Sequence, residues 1–121
     1  MPTELQREHA DRAGSKDAYW FGDNEEELKD HAWFDEDRIG STHPVGLKTK
    51  NNNDLYDMPG NVWEWCDDQW EVGASARVLR GGSWYIFGGD CRSANRIRNV
   101  PDFRHLYLGF RLAAVPVVGA K

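Results

Sequence analysis

Cysteine is scarce: Cys66 and Cys91 are the only two in 121 residues. That excludes a disulfide-built scaffold, and their spacing matches no zinc motif. They read as buried free thiols or as a single disulfide. Long apolar runs are also missing, and no stretch approaches the roughly 20 residues of a membrane span. The N-terminal Met-Pro-Thr-Glu-Leu-Gln lacks the basic and apolar regions of a signal peptide. No membrane insertion is expected. The chain would be cytoplasmic, or displayed on a phage or cell surface by another route. Basic excess is absent too. Fifteen Lys and Arg face 20 Asp and Glu, for a net charge of -5. That argues against a nucleic-acid partner, which normally requires a basic face. There is no internal repeat and no break long enough to separate domains, so residues 1–121 are expected to form one domain.

What is present favours folding. The chain is 40% hydrophobic and 12% aromatic, with six tryptophans. Thr3-Glu4-Leu5-Gln6 has the pattern of a capping box, with a helix to about Ala13 and Gly14 as its left-handed stop. Leu5, His9 and Arg12 would share one side of that helix. Tyr19 to Asp23 is an aromatic knot closed by a turn. Asn24 followed by Glu25, Glu26 and Glu27 predicts a second short helix, ending near Ala32. From Asp35 to Asp54 turn formers dominate and little regular structure is expected.

Met58-Pro59-Gly60-Asn61 is a turn. Val62, Glu64 and Cys66 then alternate with Trp63 and Trp65, as in a strand. Asp57 and Glu64 flank that turn with backbone carbonyls between them, a supply of hard oxygens that suits calcium. A capping aspartate and a salt-bridged glutamate explain the same residues. Arg77 to Arg80 is strand-like, Gly81-Gly82 permits a close approach to something bulky, and the last strand spans about Tyr107 to Ala113. Pro116 and Gly119-Ala120-Lys121 would end the domain.

Six stretches, in order, resemble the formylglycine-generating-enzyme (sulfatase-modifying factor) family. They are Pro2 to Leu5, Tyr19 to Asp23, His43 to Gly46, Gly60 to Trp65, Arg80 to Trp84 and Gly109 to Arg111. The resemblance implies an α+β class and a variant of the C-type lectin fold. Such a fold is loop-rich, here with two short helices and a small antiparallel sheet. It also implies where catalysis would sit. The oxygen-dependent enzyme uses two cysteines for copper chemistry. Counted from the Arg-Gly-Gly-Ser motif, the second falls on Cys91 and the first on Ile86. Copper(I) favours soft thiolates, and a thiolate beside an isoleucine is not a pair. The family's longer N-terminal half has no counterpart ahead of Pro2. His9, His31, His43 and His105 lack the spacing of an iron-binding triad. No catalysis and no required cofactor are therefore expected. In the family a calcium site uses the loop corresponding to Asp57, Gly60, Val62 and Glu64, so a structural calcium is implied there.

A branch of the same fold is similar in finer detail: the variable proteins of diversity-generating retroelements. Its fixed pieces match Arg80 to Trp84, Cys91 to Arg96, Pro101-Asp102 and Gly109 to Ala113, giving a variable region of about 80–113. Between them lie Tyr85, Ile86, Phe87, Gly88, Gly89, Asp90, Ile97, Asn99, Val100, Phe103, His105, Leu106 and Tyr107. In that system asparagine codons (AAY) are copied with errors at adenine. Changing their first two bases yields Tyr, Ile, Phe, Gly, Asp, Val, His or Leu, but never Lys, Glu, Gln, Met or Trp. None of those five occurs at these positions. The resemblance implies a non-catalytic binding protein that meets a protein or cell-surface ligand through this face. The physical reading agrees in kind, because large apolar residues without helical or strand period form interaction patches when exposed. The competing reading makes Tyr85, Ile86, Phe87, Phe103, Leu106 and Tyr107 ordinary core. Arg92, Arg96, Arg98, Arg104 and Arg111 read better as makers of internal salt-bridge and backbone-carbonyl contacts than as a phosphate-binding set.

Overall fold

A computed structural model describes residues 1–35 and 40–114; Pro116 and the expected Gly119-Ala120-Lys121 end lie outside them. The first element, α1, spans Glu4–Arg12. Thr3 Oγ1 accepts from the Gln6 amide while Gln6 Oε1 accepts from the Thr3 amide, completing the capping box. The helix stops one residue earlier than Gly14. Ala13 adopts the left-handed conformation (φ 47°), and its amide donates to the His9 carbonyl to close the last turn.

The inward face of α1 differs from the expected one. Leu5 is 79% exposed, whereas Arg7 and Asp11 are buried. The reason lies in the sheet beneath. Its strands are β1 (Trp63–Gln69), β2 (Arg77–Arg80), β3 (Arg96–Asn99) and β4 (Leu108–Gly109), in spatial order β3-β2-β1-β4. Register aligns Glu64 with Arg80 and Arg80 with Arg96, so one row of charges crosses the sheet on a single face. The helix answers with complementary charges. Arg7 Nε donates to Glu64 Oε1 (3.2 Å), and Arg7 Nη2 to the Met58 carbonyl (2.6 Å). Arg80 donates to Glu4 (2.9 Å) and Glu8 (2.7 Å), and Arg96 Nη2 to Glu4 Oε2 (3.0 Å). A helix seated on ion pairs has no use for an apolar stripe on that side.

The neighbouring row, Trp65-Leu79-Ile97, faces the other way. The sheet is mixed rather than wholly antiparallel. β1 pairs with β2 and β2 with β3 antiparallel, but β4 runs parallel to β1, Trp63 against Leu108. The chain reaches β4 through the long 100–107 loop instead of a hairpin, and a long connection permits the parallel direction. β4 is also shorter than the expected strand.

A second core lies beside the sheet. Asn24 caps a 3₁₀ helix at Glu25–Asp30 rather than an α-helix. Leu28 and Ala32 pack with Tyr19 and Cys91, and Phe21, Phe34 and Ile86 pad the cluster. Tyr19 Oη donates to the Gly88 carbonyl (2.9 Å), tying the aromatic knot to a second 3₁₀ helix at Gly88–Cys91. Both cysteines are buried and free. Among the described residues no helix is long and apolar enough to cross a membrane.

Candidate functional site

The 80–107 segment leaves β2 through Gly81 and Gly82, whose φ values are 100° and 77°. Both are packing positions as well as left-handed ones. A Cβ on Gly81 would meet the Met58 carbonyl at 2.9 Å, and one on Gly82 would meet Cys91 Sγ at 2.6 Å. Beyond them the chain surfaces. Trp84 and Tyr85 meet edge-to-face at 5.5 Å between ring centroids, and Tyr85 lies 6.1 Å from Tyr107. Tyr107 stacks on His105 at 3.9 Å, and His105 on Phe103 at 5.9 Å. Two loops far apart in sequence thus build one aromatic row, Trp84-Tyr85-Tyr107-His105-Phe103. Trp84 Nε1 donates to the Leu106 carbonyl (3.4 Å), joining the loops directly.

Exposure sorts the thirteen expected positions. Tyr85 (63%), Phe87 (75%) and Leu106 (78%) are open large side chains, and Asp90, Val100 and His105 are exposed too. Gly89, Ile97, Asn99, Phe103 and Tyr107 are half-buried. Ile97 follows the Trp65-Leu79 row, and Asn99 shares its face by strand alternation. Two positions depart from the expected face. Gly88 is buried; its carbonyl accepts from Tyr19, and a Cβ there would meet Leu28 Cδ2 at 3.0 Å. Ile86 packs on the Tyr19-Leu28-Cys91 cluster, and its carbonyl accepts from the Asp35 amide (2.9 Å). Both are held by the aromatic knot and the first 3₁₀ helix, so they support the 85–90 loop from beneath.

Sequence reasoning assigned other residues wholly to the frame that are open in the structure. Phe110 is 65% exposed and Leu112 81%, while Arg111 between them turns inward to Glu64. Their alternation with Arg111 is the signal that could have separated them. Phe110 and Trp65 line a groove of about 490 Å³ with Phe103, His105 and Leu108, next to the aromatic row.

Three of the four expected calcium ligands come together, and Gly60 does not line the same cavity. Asp57, Val62 and Glu64 line one cavity of about 370 Å³. The loop has left-handed φ at Asp57 (54°), Gly60 (77°) and Asn61 (65°). Asp57 Oδ2 accepts from the Gly46 amide (2.9 Å), whereas Oδ1 is buried without a hydrogen-bond partner. Glu64 is more heavily engaged. Oε1 accepts from Arg7 and Arg111, and Oε2 from Arg111 Nη2 (2.8 Å). Burial alone would raise the Glu64 pKa, but the two guanidiniums outweigh it and hold the carboxyl below its ordinary value. Asp57 Oδ1 is the oxygen here open to a hard cation, whereas Glu64 is already neutralised by Arg7 and Arg111, and no cluster of three His, Cys, Asp or Glu side chains able to hold a metal occurs among the described residues.

At the positions corresponding to the enzyme's copper cysteines, Ile86 Cδ1 and Cys91 Sγ flank one point, 3.1 and 2.6 Å from where a Gly82 Cβ would stand. Cys91 is fully buried, and desolvation pushes its thiol up to about 12. Such a group stays protonated at neutral pH and is a poor nucleophile and metal ligand.

Comparison with known proteins accords with this geometry. Residues 1–115 match the family described as sulfatase-modifying factor enzyme 1-like domain. The formylglycine-generating enzyme of Thermomonospora curvata is 35% identical over 68% of this chain and 34% of its own length. The inactive C-alpha-formylglycine-generating enzyme 2 of Mus musculus is 34% identical over 94% of this chain and 42% of its own. Treponema denticola variable protein 1 superposes with a TM-score of 0.86 at 36% identity, over 91% of this chain and 45% of that one. This chain therefore spans less than half the length of each of these relatives. With its α1-on-sheet frame, its glycine-cornered 81–90 loop and matches of this extent, the chain belongs to the sulfatase-modifying-factor family and has the C-type lectin fold of the formylglycine-generating-enzyme type.

Proposed function

We propose that this chain is a non-catalytic binding module, the variable protein of a diversity-generating retroelement. It would engage a protein or cell-surface ligand through the aromatic row and its flanking loops. The observation that carries the reading is the row itself: Tyr107, His105 and Phe103 stack in one line, and Tyr85, from a separate variable stretch, continues it at a tilt. Ordinary core residues would not leave Tyr85, Phe87 and Leu106 more than half exposed. Large rigid aromatics give contact area at low entropic cost, as in antibody paratopes. The likeness to Treponema denticola variable protein 1 supports the same reading. The isoleucine at position 86 and the buried, protonated thiol of Cys91 argue against copper chemistry.

A structural calcium belongs to the proposal as a brace. Asp57 Oδ1, Glu64 and the carbonyls of Gly60 and Val62 would hold it, fixing the turn that leads into β1. No step of ligand binding depends on it.

The coding locus provides the test. The proposal expects a near-copy of the 80–113 segment with adenines at the variable codons, close to a reverse-transcriptase gene. A locus with neither would overturn it.

A further inference from the structure

We infer that the groove beside the aromatic row takes an apolar side chain flanked by carboxylates, so that the ligand is a protein presenting an acidic-apolar segment. This rests on the display reading and names the chemistry of the partner at that site. The walls are Trp65, Phe103, His105, Leu108 and Phe110, enclosing about 490 Å³. Stacked and half-open rings favour a flat or branched apolar group over a charged one. Arg104 stands among the lining residues, and no carboxylate does. In a chain with 20 acids against 15 Lys and Arg, that is a local reversal of sign.

Among the described residues no ion pair commits Arg104 to the scaffold; Arg98 is equally unpaired but lies over Trp70 and does not line the groove. Arg7, Arg80, Arg96 and Arg111 each donate to a buried or half-buried glutamate. Arg104 is exposed, and among the described residues Nη1 donates only to the carbonyls of Pro101 (2.9 Å) and Phe103 (3.2 Å). These two bonds pin the guanidinium at the groove while leaving its charge uncompensated. No carboxylate among the described residues forms an ion pair with it, and the one acid on the same loop, Asp102, points to solvent. A preoriented arginine beside an apolar slot selects a carboxylate next to an apolar anchor.

The test uses the whole chain, ¹⁵N-labelled, and two blocked peptides: acetyl-Gly-Asp-Phe-Glu-Gly-amide and its Asn/Gln counterpart. Amide shift perturbation is followed in low and high salt. The acidic peptide is expected to perturb 100–110 and to bind about 5-fold more tightly than the amide peptide, as an exposed ion pair of about 1 kcal/mol implies. High salt should shrink that ratio, and Arg104→Gln should bring it to about 1. Equal affinities at the same residues would overturn the acidic-ligand inference and leave the display reading standing. A preference that survives Arg104→Gln would overturn the role of Arg104. If neither peptide perturbs 100–110 at millimolar concentration, the groove is not the anchor site and the inference falls, whereas the display reading is judged separately by the locus.

Discussion

Arg7 and Glu64, 57 positions apart, meet in a buried ion pair with Nε 3.2 Å from Oε1. Glu64 is shared with Arg111, whose Nη2 also donates to the carbonyls of Tyr56 and Asp57. One carboxylate therefore fastens α1, β1, the chain beyond β4 and the Asp57 loop. Arg7→Met should destabilise the fold by about 3 to 5 kcal/mol, because Glu64 and Asp11 lose a buried partner. Urea unfolding measures this, and a loss below about 1 kcal/mol would contradict it.

The same pair fixes a pH dependence. The Glu64 pKa is lower in the folded state than its ordinary 4.5. Its contribution is thus fully present above that value and is lost as pH falls through the folded pKa. Asp11 has the opposite sign. Burial, opposed by Arg7, raises its pKa, so its contribution is present at low pH and lost as pH rises. Glu64→Gln should lower the melting temperature at pH 7 and flatten its decline between pH 5 and 3. A variant with an unchanged acid limb would show that another carboxylate sets it.

Ala13 offers a gain. A left-handed alanine costs roughly 1 kcal/mol relative to an unstrained residue, and glycine carries no such penalty at a helix C-terminus. Ala13→Gly is expected to raise stability by about 0.5 to 1 kcal/mol in thermal unfolding. A loss would mean that the helix end relaxes differently.

Much of this architecture was legible in the sequence. Thr3 and Gln6 mark the helix start and the Trp63-to-Cys66 alternation marks β1; of the five arginines expected to be internal, Arg96 and Arg111 pair with glutamates, whereas Arg92, Arg98 and Arg104 are exposed. The inward face of α1 was not legible. Arg7 and Asp11 count as surface residues in any hydrophobic period, and only Glu64, Arg80 and Arg96, brought into register by the sheet, make them interior. The direction of β4 was hidden for a similar reason: a two-residue strand leaves no pattern, and its parallel pairing depends on the path of the 100–107 loop. At the site, the resemblance to the variable proteins separated Tyr85, Phe87 and Leu106 from the frame. It could not reveal that Gly88 lies against Leu28, a contact made across the molecule.

Substitution at the display positions should therefore divide. Tyr85→Asn and Leu106→Asn are expected to change stability by no more than about 0.5 kcal/mol, as open surface sites do. Ile86→Asn should cost about 2 kcal/mol or more, since it places an amide in the Tyr19-Leu28-Cys91 cluster. Melting temperatures of the three variants decide. Equal losses at all three would return Tyr85 and Leu106 to the core.

Calcium should stabilise without enabling any reaction. Millimolar calcium is expected to raise the melting temperature by a few degrees relative to chelator, by ordinary ligand linkage, and Asp57→Ala should abolish the shift. An unchanged melting temperature would remove calcium from the account.

The central claim, that Tyr85 to Tyr107 is a diversified display surface, is tested most directly by sequencing this locus across many cells of one population. The account predicts substitutions concentrated at the adenine-templated codons for Tyr85, Phe87, Gly89, Asp90, Ile97, Asn99, Val100, Phe103, His105, Leu106 and Tyr107. Arg80 to Trp84, Cys91 to Arg96 and Gly109 to Ala113 should stay constant. Substitutions spread evenly over both sets, or absent from both, would contradict it.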